Sequence, residues 1–261
     1  MHRMKLRIAT YNIHKGVTSF RSVPRIHALK HAMTSMEADI LFLQEVQGRH
    51  DWHAARHAQA WPDEAQHEFL AGDSHHSAYG MNAVYDHGHH GNALLSSYPI
   101  GTIRNQDVSD HMFEQRGILH CMVQAPQCIV HCYVVHLGLF AGGRRRQTLA
   151  LIDAVLGSAR SNDPVIIAGD FNDWGNQLSP MLRDRLGVCE VFDDHQDAGD
   201  GFLSLGARPR PARTFPAVFP FLPLDRIYVR GFAVHSARVL HGPQWAKLSD
   251  HAPVLATVQL N

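Results

Sequence analysis

Short apolar runs of two kinds alternate along this chain. Residues 5–12 place Leu6, Ile8 and Thr10 on one side against Arg7 and Ala9 on the other, the period of a half-buried strand. Residues 40–46 and 165–169 are apolar without alternation and too short for a helix, which predicts buried strands. Residues 92–97, 118–124, 129–136, 226–229 and 254–259 complete the predicted strands. Helical spacing occurs twice. Ser22 and Pro24 open a segment with Ile26, Leu29, Met33 and Met36 on one face, and Gly142-Gly143 precedes Leu149, Ile152, Val155 and Leu156. No repeat or linker divides the chain, so residues 1–261 read as a single α/β domain.

The strands 118–124 and 129–136 flank Ala125-Pro126-Gln127, and a two-residue loop there sets Cys121 opposite Cys132. With only Cys128 and Cys189 besides, no disulfide framework or second zinc-ligand pair exists, and two buried thiols are expected. The segment 49–91 holds many of the 21 histidines. His53 and His57 lie four apart without the Glu of a His-Glu-x-x-His helix, and the segment reads as solvated loop rather than a second metal site.

An apolar share of 45% suits a protein with a sizeable core. The formal net charge is +0, which argues against binding carried mainly by nucleic-acid phosphates. No secretory signal or membrane-length apolar run is visible, so a cytoplasmic protein is expected, and no obligate protein partner is inferred.

Polar motifs close several of the strands. They are Thr10-Tyr11-Asn12-Ile13, Leu43-Gln44-Glu45-Val46, Val135-His136-Leu137, Gly169-Asp170-Phe171-Asn172, Leu224-Asp225-Arg226-Ile227 and Ser249-Asp250-His251. A core needs none of these groups, and burying them unpaired is costly. Asp170 and Asn172 fall on one side of an extended chain, with Phe171 facing the core. Such a pair suits a phosphoester site, the carboxylate polarising a water and the amide fixing it. Glu45 and Asn12 are hard oxygen ligands of the type that suits Mg²⁺ or Mn²⁺. Asp225 is expected to hold the ring of His251, with Asp250 an outer or direct metal ligand. On alternation His136 shares a face with Val134 and Cys132, at a strand end where it can contact a phosphate.

In this order the motifs resemble the endonuclease/exonuclease/phosphatase superfamily, over almost the whole chain from Thr10 to His251. The resemblance implies a four-layer α-β-β-α sandwich with two mixed β-sheets packed face to face. It implies Asn12, Glu45 and Asp250 around a metal, Asp170 as the water-activating residue beside Asn172, and an Asp225–His251 pair. His136 is similar to the histidine of the deoxyribonuclease I and sphingomyelinase branches. The exonuclease III Tyr and Asn motif is absent, as are the Trp and Cys that precede the matching Asp in inositol 5-phosphatases. His90-Gly91-Asn92-Ala93-Leu94 looks like a family segment that places Asn92 toward substrate, with Ser97 where an Arg is frequent.

The expected activity is therefore hydrolysis of a phosphodiester by in-line attack of water, nuclease-like by family. A phospholipid phosphodiesterase, a phosphomonoesterase and an inactive binding module are the alternatives. Substrates in view are nucleic acid, a phospholipid head group or a small phosphodiester. Arg144-Arg145-Arg146 reads first as a solvated face and second as a phosphate contact. The proline-broken segment 214–224 reads first as a loop packed over the core, and second as an exposed apolar lip giving peripheral lipid contact.

Overall fold

A computed structural model describes residues 3–18, 22–110, 114–193 and 211–261. Its strands are β1 (Lys5–Asn12), β2 (Ile40–His50), β3 (His76–Tyr85), β4 (Gly88–Ser96), β5 (Ile100–Asp107) and β6 (Gly117–Ala125) in the first half. They continue with β7 (Cys128–His136), β8 (Val165–Asp170), β9 (Cys189–Glu190), β10 (Asp225–Arg230), β11 (Phe232–Val239) and β12 (Val254–Leu260). The helices are α1 (Ile26–Thr34), α2 (Asp51–Arg56), α3 (Gln66–Ala71), α4 (Ala141–Ser158), α5 (Ser179–Leu186) and α6 (Pro243–Ala246).

Two six-stranded sheets result, ordered β11-β12-β1-β2-β4-β3 and β5-β6-β7-β8-β10-β9. Each is mixed: β1–β2 and β7–β8 run parallel, and the other pairs antiparallel. Leu6, Ile8, Ile40, Phe42, Val254 and Ala256 from the first sheet meet Cys132, Val134, Ile166, Ala168, Ile227 and Val229 from the second. On the outer faces, Ile26, Leu29 and Met33 of α1 cover the first sheet, and Leu151, Ile152 and Val155 of α4 cover the second. Both sheets are apolar on both faces, so each needs the other on its inner side and helices on its outer side, and a four-layer sandwich results.

Cys121 pairs with Cys132 across a turn at Pro126-Gln127, and both are free buried thiols. Two segments depart from their sequence reading. Residues 49–91 are not loop: they carry α2, α3, β3 and the start of β4. Around α2 burial is carried by aromatic rings, with His53 stacked on Trp61 at 4.7 Å, whereas α3 and β3 bury Leu70, Ala71 and Ala78. The arginine run is not a wholly solvated face, because Arg144 is buried against the Gly138 and Leu139 carbonyls. Among the described residues, no helix is long and apolar enough to cross a membrane.

Candidate active site

The space between the sheets is largely apolar, and ionisable groups enter it at the ends of several strands. Strand register then sets ionisable groups side by side: His136 pairs with Asp170 across β7–β8, and Asp170 with Asp225 across β8–β10. Counting back by two, His136 shares its face with Val134, Asp170 with Ala168, and Asp225 with Ile227, so all three face the opposite sheet. From that sheet Asn12 ends β1, and its amide donates to Asp170 Oδ2 at 3.2 Å and Glu45 Oε1 at 3.4 Å.

Glu45 reaches the cleft through a bulge. The β2–β4 register slips between Leu43 and Val46, and Glu45 adopts a left-handed φ of 56°. His14, Lys15 and Asn172 share that conformation at φ of 46°, 59° and 49°. Left-handed backbone is costly for such residues and persists where surrounding structure enforces it, often at functional sites.

His251 Nδ1 lies 2.8 Å from Asp225 Oδ2, and its Nε2 lies 3.7 Å from Asp170 Oδ2. His136 Nε2 approaches the same oxygen at 3.6 Å. Burial disfavours a charged ring at His251, but Asp225, Asp170 and Asp250 outweigh it and push its pKa up to about 10. His136, equally enclosed but beside Arg116 and His251, is held well below the ordinary histidine value by burial and those positive neighbours. Burial also raises Asp170 to about 6, against the opposing charge of His251. Two buried imidazoles, one charged and one neutral, thus flank one carboxylate.

Asn172 donates its backbone N–H to Asp170 Oδ1 at 3.0 Å and its side-chain amide to the Leu137 carbonyl at 2.9 Å. Phe171 between them is buried on the opposite face against Tyr228. Asp250 accepts from His14 Nδ1 at 3.2 Å; burial pushes this carboxyl up, yet the His14 and His251 interactions leave it lowered. Ser249 ties the loop to β1, donating to the Asn12 carbonyl at 2.7 Å. Asn92 stands apart from this cluster. Its amide donates to the carbonyls of Gly117 at 2.9 Å and Val134 at 3.3 Å, bracing one sheet against the other.

The cluster opens into a cleft of about 470 Å³ lined by Lys15, Glu45, His90, Arg116, His136, Asp170, Asn172, His251 and an apolar wall including Leu139, Trp174 and Phe215. Motif reading missed His14, Lys15, His90, Arg116, Trp174 and Phe215. His14 and Lys15 directly follow the Asn12 motif and Trp174 follows the Asn172 motif, which was the available signal. His90 opens the segment that carries Asn92, whereas Arg116 carries no signal, being placed by the approach to β6.

Two groups of donors fit a divalent metal. Single atoms of Asp170, Asp225 and His251 lie within 4.8 Å of one another and could hold an ion. Asn12, Glu45 and Asp250 offer the all-oxygen set that Mg²⁺ and Mn²⁺ prefer, and each carboxylate already faces a basic side chain: Lys15 Nζ lies 3.9 Å from Glu45, and His14 Nδ1 3.2 Å from Asp250.

A mixed double-sheet sandwich with carboxylates, amides and imidazoles gathered at one end of the sheets defines a metal-assisted phosphoester hydrolase class. The profile of the Endonuclease/Exonuclease/phosphatase family matches residues 9–251, and the chain belongs to that family. Protein YbhP of Escherichia coli strain K12 is 41% identical over 262 residues, covering 99% of this chain and 98% of YbhP. An endonuclease/exonuclease/phosphatase from Beutenbergia cavernae superposes with a TM-score of 0.75 at 18% identity, over 100% of this chain and 72% of that one. TDP2 of D. rerio, solved with a single-strand DNA product, gives 0.67 at 18% identity over 97% and 98%. These structural likenesses speak to the fold.

Proposed function

We propose that this chain, as one domain, is a divalent-metal phosphodiesterase that cleaves by in-line attack of water. One observation carries the reading: Asp170 Oδ2 lies within 3.7 Å of both the His136 and His251 Nε2 atoms, with Asp225 holding the far side of the His251 ring.

Asp170 takes the proton of the attacking water, whose position Asn172 and the Asn12 amide help to fix. The ion belongs at Glu45, with Asn12 and Asp250 beside it; Mg²⁺ or Mn²⁺ bound there neutralises charge on the phosphoryl oxygens. The Asp170–Asp225–His251 group is better suited to proton chemistry than to a metal, because His251 Nδ1 already bonds to Asp225 at 2.8 Å and its ring keeps a proton at neutral pH. His251 therefore meets the phosphate as an imidazolium and supplies the leaving oxygen's proton. Neutral His136 donates a hydrogen bond to the phosphoryl group. Lys15 and Arg116, which line the same cleft, add positive charge around it. Asn92 serves by positioning, since its amide is engaged by backbone. Glu45, Asp170 and His251 are all present, which disfavours the binding-module alternative.

A nuclease role rests on family membership and the single-strand DNA product bound by TDP2. The net charge of +0 opposes it. The deciding assay is hydrolysis of bis-p-nitrophenyl phosphate with Mg²⁺, Mn²⁺ or EDTA. Diester cleavage that requires metal and is lost in Asp170→Ala supports the reading. Cleavage of p-nitrophenyl phosphate alone would replace it with a phosphomonoesterase, and cleavage undiminished in Asp170→Ala would overturn the roles assigned.

A further inference from the structure

The segment from Thr214 to Leu224 is built to hold apolar side chains outward. Thr214 and Phe215 donate to the Leu222 carbonyl at 2.9 and 3.1 Å, Leu222 and Phe221 donate back to Phe215 at 2.8 and 2.9 Å, and Phe219 donates to Pro216 at 3.0 Å. The Ala217 N–H is fixed to the Asp250 carbonyl at 2.7 Å. Ala217 and Leu224 are buried, whereas Val218 is 82% exposed, Phe219 78% and Phe221 52%. So the loop packs at its base and projects an apolar tip. A closed hydrogen-bonded loop cannot fold that tip inward, so its exposure is structural.

The loop base is also a wall of the active cleft. Phe215 and Leu222 line it, and the Phe215 ring lies 4.9 Å from that of His251. Behind the same wall is a second cleft of about 610 Å³, with Phe215, Pro216, Ala217, Val218 and Leu248 on its apolar side. Arg25 and Lys247 line it, and neither makes an ion pair among the described residues. Asp250, its one carboxylate, is taken by His14. Across the active cleft, Leu139 and Trp174 are 54% and 50% exposed, so the mouth is apolar on both sides.

We propose that the tip at Val218, Phe219 and Phe221, with Arg25 and Lys247 behind it, docks on an anionic phospholipid bilayer and brings a membrane-borne phosphodiester to the active cleft. Apolar side chains enter the interface while the cations meet lipid phosphates, the complementarity that peripheral proteins use. The second half rests on the phosphodiesterase reading; the docking itself does not.

The test is flotation of the full chain with phosphatidylcholine vesicles and with phosphatidylcholine–phosphatidylglycerol vesicles. Wild type is expected to float with the mixed vesicles, less with the neutral ones, and less as salt is raised. Phe219→Asp lowers flotation about tenfold or more, and the double change Arg25→Glu with Lys247→Glu lowers it about tenfold on mixed vesicles. Ile129→Asp, another exposed apolar site, at the start of β7 and away from the tip, floats like wild type. Circular dichroism checks that each variant is folded.

Absence of wild-type flotation, or equal flotation of Phe219→Asp and wild type, overturns the docking. Retention of single-stranded DNA in place of vesicles, lost in the Arg25/Lys247 double variant, assigns the cleft to nucleic acid and also overturns it. A dimer by sedimentation that Phe219→Asp dissolves, without vesicle binding, assigns the tip to a second copy. Asp170→Ala separates the two readings. Docking predicts that it floats as wild type does, and the phosphodiesterase reading predicts that it cannot release phosphorus from vesicle lipid or hydrolyse the soluble diester.

Discussion

His251 and His53 are both buried rings, and their surroundings drive them in opposite directions. His251 lies among Asp225, Asp170 and Asp250, which overcome its burial and lift it to about 10. His53 lies between Trp61, His50 and His57, where burial, aided by those two imidazoles, drops it to about 4. One region holds a charged imidazole in fixed relation to a buried carboxylate. The other uses imidazoles as flat aromatic fillers around α2, packed on Trp61. Abundance of histidine therefore says little about chemistry; a buried carboxylate within hydrogen-bond reach says much more.

The sharpest way to break this contrast is to remove the base. Asp170→Ala is expected to cut kcat/KM on bis-p-nitrophenyl phosphate by about 10²–10⁴-fold. Its fold persists, because the substitution also removes a buried, desolvated carboxyl. Asp225→Asn should follow, with a loss of about 10²-fold or more, because His251 loses its nearest negative charge and the carboxylate that fixes its tautomer. His53→Phe is the matched control in the other region, expected within about twofold of wild type in the same assay. A large loss in His53→Phe would erase the distinction.

Metal comes next in size. Mg²⁺ or Mn²⁺ at saturating concentration should raise the melting midpoint by about 5 °C. Glu45→Gln should abolish that shift while His57→Ala keeps it. A shift lost only in His57→Ala would move the metal to the histidine flank.

The smallest effect is on stability against pH, and its sign differs between the regions. His53 and His120 sit near 4 when folded, against 6.5 ordinarily. The unfolded chain binds their protons first as pH falls, so this contribution is full above 6.5 and lost between 6.5 and 4. His251, raised to about 10, contributes fully below 6.5 and loses that contribution as pH rises through 10. Melting curves should show the acid limb flattened in the double variant His53→Phe with His120→Phe, and the alkaline limb flattened in Asp225→Asn. An acid limb unchanged in the double variant would mean those rings are not held neutral by burial.

The apolar runs and end-of-strand motifs foretold every central strand: β1, β2, β4, β6, β7, β8, β10 and β12. The strands absent from that reading, β3, β5, β9 and β11, are the four edges of the two sheets. Edge strands are half solvated and carry no obligatory pattern; β5 is exposed along nearly its whole length. Asn12, Glu45, His136, Asp170, Asp225 and His251 could be named from sequence because each closes or adjoins a strand whose period is set by burial. Their convergence depends on register and on the bulge that turns Glu45, which bring residues up to 158 positions apart into hydrogen-bond contact. Tertiary structure alone decided the rest. It gave His14, His90 and Arg116 places around the cleft, engaged the Asn92 amide with backbone, buried Arg144 and pointed Phe219 outward. Local sequence governs which residues seek the core, whereas partners across the chain fix where a polar group finds its hydrogen bonds and charge.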